Sequence, residues 1–125
     1  MLLLENTTEK IIASFYKVYN VLGYGFLEKV YENSLVHELN LQGLDAICQY
    51  PIDVYYNHVK VGKYFADIMV NGEIIIELKD AETIAKEHEL QLINYLKSTN
   101  IEVGLLLNFG KKPEFKRKIF TNDLK

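Results

Sequence analysis

This 125-residue chain has a single cysteine, Cys48, and a single arginine, Arg117. It has no apolar run near the ~20 residues a membrane-spanning helix needs. One cysteine excludes an intramolecular disulfide and a cysteine-based zinc site. Internal repeats, linkers and low-complexity segments are absent. The opening Met1-Leu2-Leu3-Leu4 is too short for a secretory signal and lacks its basic start and cleavage site. These absences lead to the expectation of a cytoplasmic protein with no membrane partner. One domain over residues 1–125 is expected, large enough for a core of its own.

A general excess of positive charge is also lacking. The net charge of −3 argues against a nucleic-acid coat protein. The balance is uneven, with eight basic and fifteen acidic side chains through residue 110, then six basic and two acidic beyond it. Lys111, Lys112, Lys116, Arg117, Lys118 and Lys125 make a basic end that could contact phosphates or be an ordinary solvated terminus.

What is present reads as helices followed by hairpins. Asn6 or Thr7 is a candidate cap for a first helix carrying Ile11, Phe15, Val18 and Leu22 at helical spacing. Gly23-Tyr24-Gly25 ends it. A second helix is expected over about 27–41, with Gly43 as its stop. Strands are expected near 45–50, 52–56, 59–69 and 73–79, with turns at Asn57-His58 and Asn71-Gly72. A third helix over about 83–98 precedes a buried strand at 103–109, and the end adds a short helix or strand. A strand that follows a helix enters parallel to its neighbour through a crossover. The order therefore predicts an α/β (α+β) fold, a mixed central sheet flanked by helices.

The most informative segment runs from Phe65-Ala66-Asp67 to Ile76-Glu77-Leu78-Lys79. Buried strands seldom carry charge without a reason, and Glu77 and Lys79, two apart in a strand, share a face. Two carboxylates and an amine at one point suit Mg²⁺ and a phosphodiester. The alternative is a solvated edge, with Asp67 an unrelated surface acid. Register decides between them. A two-residue Asn71-Gly72 turn would set Asp67 opposite Ile76 and put Glu77 on the other face. A three-residue loop aligns Asp67, Glu77 and Lys79. It does so with Val70-Asn71-Gly72, pairing Asp67 with Ile75, or with Asn71-Gly72-Glu73, pairing Asp67 with Glu77. The expectation is therefore a bulged or three-residue hairpin with Gly72 at positive φ. On the second helix Glu28, Tyr31 and Glu32 share a face, and Glu32 is expected nearer solvent. On the third, His88, Gln91 and Tyr95 share one.

Leu22-Gly23-Tyr24-Gly25-Phe26-Leu27-Glu28-Lys29-Val30-Tyr31-Glu32 resembles the signature of the GxxExxY family of PD-(D/E)XK nuclease-like proteins. The likeness continues through Tyr64, Ala66-Asp67, Ile76-Glu77-Leu78-Lys79, His88-Glu89, Gln91-Leu92, Asn94-Tyr95-Leu96-Lys97 and Gly104–Gly110. It implies a restriction-endonuclease-like core in α-β-β-β-α-β order. It also implies a metal-dependent nuclease acting on nucleic acid, DNA before RNA. Asp67, Glu77 and Glu28 would hold Mg²⁺ (or Mn²⁺), Lys79 would orient the attacking water, and Gln91 would match a glutamine frequent on the following helix. Two positions depart from the family pattern: Tyr24 stands where proline is usual, and Phe65 where arginine is usual, which removes a cation beside the metal. The rival readings are a non-catalytic nucleic-acid or protein interaction module on the same fold, and an enzyme active only as a homo-oligomer.

Overall fold

The computed structural model describes residues 3–125. Two helices come first, α1 (Glu5–Leu22) and α2 (Glu28–Leu41). Strands β1 (Ala46–Tyr56), β2 (Val59–Val70) and β3 (Ile74–Lys79) follow, then α3 (Lys86–Lys97), β4 (Val103–Asn108), β5 (Glu114–Ile119) and a 3₁₀ turn (Asn122–Leu124). The sheet order is β1-β2-β3-β4-β5, with β3 and β4 parallel and every other pair antiparallel. The fold is a mixed α+β architecture, a five-stranded sheet covered by helices on both faces.

Periodicity explains the layering. Ile11, Phe15 and Val18 of α1 and Tyr31, Leu35 and Leu39 of α2 pack on Ile68, Val70, Ile74, Ile76, Val103, Leu105 and Leu107. Leu92, Tyr95 and Leu96 of α3 pack on Met69, Ile75 and Leu106 from the other side. With both faces covered, β3 and β4 are almost wholly buried, which is why their sequences read as continuous apolar runs. Gly104 allows α3 to lie close, since a Cβ there would fall 2.7 Å from Leu92 Cδ1.

Several boundaries differ from the sequence reading. The 45–50 and 52–56 strands are one strand, β1, running through Pro51. Because β1 is an edge strand, the N–H that Pro51 lacks is not needed by a second neighbour. Helix α1 begins at Glu5 with no side-chain cap from Asn6 or Thr7. The Thr8 hydroxyl instead donates back to the carbonyls of Leu4 and Glu5. Helix α3 starts at Lys86 rather than 83, because buried Asn108 holds the preceding loop: its Oδ1 accepts from Ala81 N–H and its Nδ2 donates to Ala81 O, both at 2.9 Å. The end of the chain supplies both the strand β5 and the 3₁₀ turn.

The basic end is largely tied to the molecule's own surface. Arg117 donates to Leu3 O, Lys118 pairs with Glu89 at 2.6 Å, and the Lys125 ammonium donates to the carbonyls of Thr99 and Ile101. Three of the six cations of the basic end are thus engaged on the protein itself.

Replacing Asn108 with alanine strands two Ala81 backbone groups, each costing roughly 1–3 kcal/mol if left unpaired. Urea denaturation of Asn108→Ala is expected to show a loss of about 2–3 kcal/mol at an unchanged m-value.

Candidate active site

The β2–β3 hairpin sets the site. Val70 pairs with Ile74, Met69 with Ile75 and Ile68 with Ile76, so the loop is Asn71-Gly72-Glu73. Glu73 N–H donates to Val70 O at 2.9 Å, and Asn71 and Gly72 lie at φ 54° and 64°. This is a tight turn with left-handed central residues plus one extra residue, the second of the two expected three-residue loops. Asn71 tolerates that conformation because its side chain accepts from Asp45 N–H, and its own N–H donates to Asp45 O, both at 2.8 Å.

Continuing this register puts Asp67 opposite Glu77, and there the regular ladder stops. Asp67 N–H donates to Glu77 Oε2 at 2.8 Å, while Leu78 N–H donates to Asp67 Oδ2 at 2.7 Å. Each carboxyl thus takes a backbone N–H from the opposite strand. The ladder is broken on the other side as well: β1 pairs Cys48 with Ile68 and Tyr50 with Ala66 but skips Gln49, which sits at φ 55°. Among the described residues, Asp67 Oδ1 and Glu77 Oε1 accept no protein hydrogen bond. They are the free oxygens of the site.

Glu28 opens α2, where the positive end of the helix favours a carboxylate. Tyr31 holds it there. The Tyr31 hydroxyl donates to Gly23 O (2.7 Å) and accepts from Phe26 N–H (3.2 Å), and its ring stacks on Phe109 with centroids 4.3 Å apart. The spacing Gly25-x-x-Glu28-x-x-Tyr31 therefore has a mechanical meaning: the tyrosine ties down the loop from which the glutamate emerges. Tyr24 lies exposed on that loop.

Charge is concentrated here. Burial pushes Glu77 up to about 8, Asp67 adds to the rise, and the Asp67 N–H and Lys79 oppose it. Burial also raises Asp67, against the Leu78 N–H, with Glu32 adding to the rise. Glu28 is an exposed residue whose carboxyl is partly shielded; that shielding raises it and Lys79 pulls it down. Lys79 is the ammonium common to all three carboxyls.

Glu32, expected nearer solvent than Glu28, is the buried one of the pair. It accepts from Gln49 Nε2 at 2.8 Å and pairs with Lys29, so it anchors the strand kink beside Asp67. Sequence reasoning missed this role; its position next to buried Tyr31 was the available signal. Gln91 donates to the Tyr95 hydroxyl at 3.0 Å rather than to an acid. Tyr95 is pushed up to about 12, by burial first and then by the negative charge of Glu77 and Asp67. Its spacing of four from Gln91 was the clue. Where the family pattern has arginine, Phe65 carries the Lys63 ammonium 5.4 Å from its ring centroid, so a cation stands near that position from two residues upstream.

Hard carboxylate oxygens in a site short of positive charge fit Mg²⁺ or Mn²⁺. Among the described residues no three acidic, histidine or cysteine side chains converge closely enough to enclose a cation by themselves. Asp67 and Glu77 would hold one that keeps much of its water, with Glu28 at the rim.

The profile of the PD-(D/E)XK nuclease superfamily matches residues 5–118. The solved structure titled "Crystal structure of SSO0001" superposes with a TM-score of 0.60 over 96% of this chain, at 20% identity, which speaks to the fold alone. This chain spans 61% of that one's length. No curated protein matches it.

The raised Glu77 has a sign that can be tested. Without a cation, the folded state carries more protons than the unfolded between the ordinary value of 4.5 and about 8. Stability therefore falls as pH rises through that window. In chelator, melting temperature is expected to decline from pH 5 to pH 8. Glu77→Gln, which keeps an acceptor for Asp67 N–H but loses the charge, should flatten the decline. An equally steep profile in the variant would reject the assignment.

Proposed function

The chain belongs to the PD-(D/E)XK nuclease superfamily, and on that premise we propose that it is a divalent-metal-dependent nuclease of the GxxExxY group that hydrolyses phosphodiester bonds, in DNA ahead of RNA. The observation that carries this reading is the exchange of backbone hydrogen bonds between Asp67 and Glu77, which uses one oxygen of each carboxyl and leaves the other for a ligand. A surface ion pair would not need an interrupted ladder on both sides of Asp67.

When bound, Mg²⁺ or Mn²⁺ supplies a Lewis acid for the phosphoryl oxygen and lowers the pKa of a coordinated water. Asp67 and Glu77 anchor that charge, and Glu28 adds a carboxylate from the α2 side. Lys79 donates to the attacking water and offsets negative charge as it develops on the phosphate. Gln91 acts through Tyr95, whose hydroxyl accepts its amide N–H.

The test is a panel of single-stranded, duplex, nicked and branched DNAs, with single-stranded RNA, in Mg²⁺ or Mn²⁺. Cleavage is expected, and Lys79→Ala should lower it by about 100-fold or more, the scale of losing one transition-state donor. Calorimetry should show Mn²⁺ binding retained in Lys79→Ala and lost in Asp67→Asn. Full cleavage by Lys79→Ala would reject its role. Oligonucleotide and metal binding with no cleavage by wild type would place the chain among non-catalytic modules. Activity that rises more than linearly with protein concentration would identify a homo-oligomer.

A further inference from the structure

We propose that the cavity between the β1–β2 hairpin and α3 is a nucleobase subsite, which makes the substrate an unpaired strand with one base lodged beside the phosphate to be cut. The inference deepens the nuclease reading and rests on it.

The cavity holds about 310 Å³ and is lined by Val54, Tyr64, Asn94, Tyr95, Lys97 and Ser98. That is the low end of small-molecule sites, ~300–1,000 Å³, and suits one base with its sugar. Its place in the fold ties it to the acids. Tyr64 lies three residues before Asp67 on β2, with its ring 5.8 Å from that of Tyr95. Tyr95 in turn packs in one core cluster with Ala66, the residue that precedes Asp67. A nucleotide whose phosphate met the two carboxyls would therefore carry its base toward Tyr64.

The lining has the chemistry of base recognition. Tyr64 is 49% exposed, although β2 is an inner strand, so a large aromatic face stands open beside the site. Val54 adds an apolar wall, and the Asn94 amide can both donate and accept. The Lys97 ammonium, resting 5.5 Å from the Phe120 ring centroid, supplies a cation at the rim.

Electrostatics selects between duplex and single strand. Duplex binding draws most of its affinity from cations matched to phosphates. This protein has a net charge of −3, and half of its basic end is engaged internally. Stacking needs no such field, but only a base that has left its helix can stack on a side chain.

Binding in chelator, where cleavage is suppressed, gives the test. A labelled single-stranded DNA hexamer, its RNA equivalent and the matching duplex are titrated against wild type, Tyr64→Ala, Tyr64→Phe and Asn94→Ala, each first shown by its melting transition to be folded. Wild type should prefer the single strands. Tyr64→Ala should weaken that binding by about 5- to 100-fold, the range for losing one stacked base. Tyr64→Phe, which keeps the ring, should stay within about twofold. Replacing one base of the hexamer by an abasic spacer should weaken wild type at one position and leave Tyr64→Ala unaffected there, the non-additivity expected of partners in contact. Equal weakening of both proteins by every spacer, unchanged affinity in Tyr64→Ala, or duplex bound as tightly as single strand would overturn the subsite and leave the nuclease reading standing. Failure of wild type to bind any oligonucleotide would overturn the subsite, while the nuclease reading is judged by the cleavage panel in Mg²⁺ or Mn²⁺. If Asn94→Ala alone weakens binding, the cavity binds without stacking and the proposal fails. The DNA and RNA arms identify which strand the site takes.

Discussion

The structure turns on two carboxyl groups that each take the place of a backbone carbonyl. Where Asp67 and Glu77 face one another, the β2–β3 ladder is completed by side-chain oxygens instead of main-chain ones. Buried backbone N–H groups have to be satisfied, and here they are. The same bonds tie each side chain to the opposite strand without a metal. An acid pair held this way is preorganised, so a cation need not first order it. The cost is visible in Glu77, whose burial next to a second acid opposes ionisation until a positive charge arrives.

Much of the remaining fold supports that break. Three rigid supports reach it from different elements. Tyr31 and Phe109 set the start of α2 and hence Glu28. Glu32 and Gln49 hold the left-handed kink in β1 that frees Asp67 on its outer side. Asn108 pins Ala81, and with it the loop that follows Lys79. None of the three supports is on the strand that carries Asp67, so the position of that residue is over-determined by its surroundings. Interrupted ladders and positive φ at non-glycine residues are tolerated where packing enforces them, and they tend to gather at functional sites.

The hairpin beyond the break has a different character. From Gln49 onward it carries Tyr50, Tyr55, Tyr56, Tyr64 and Phe65, all at least partly open to solvent. Ala46 and Ile68 pack under α1 and α2, whereas Ile52 and Ala66, of the same parity along their strands, pack under α3. The change of side falls at Gln49, where the regular pairing lapses. One irregular residue thus both interrupts the pairing beside Asp67 and turns an aromatic arm toward α3.

Local sequence determined the number and kind of elements, because apolar periodicity and turn residues act over a few neighbours. The Ile74–Ile76 run announced a strand covered on both faces, Asn71-Gly72 announced the turn, and parity along two strands reduced the register to a choice that either united or separated Asp67 and Glu77. Glu28, Asp67, Glu77, Lys79 and Gln91 were legible as candidates from spacing and resemblance, but spacing says nothing about what a side chain touches. Tertiary structure alone decided that Glu32 is buried while Glu28 reaches the rim, and that Arg117, Lys118 and Lys125 are spent on the protein's own surface. Each of these depends on a partner 17 to more than 100 residues away, set by how helices pack across the sheet. The continuity of β1 through Pro51 was decided in the same way: a proline breaks a strand or not according to whether a second neighbour needs its N–H, and only the sheet order says that none does.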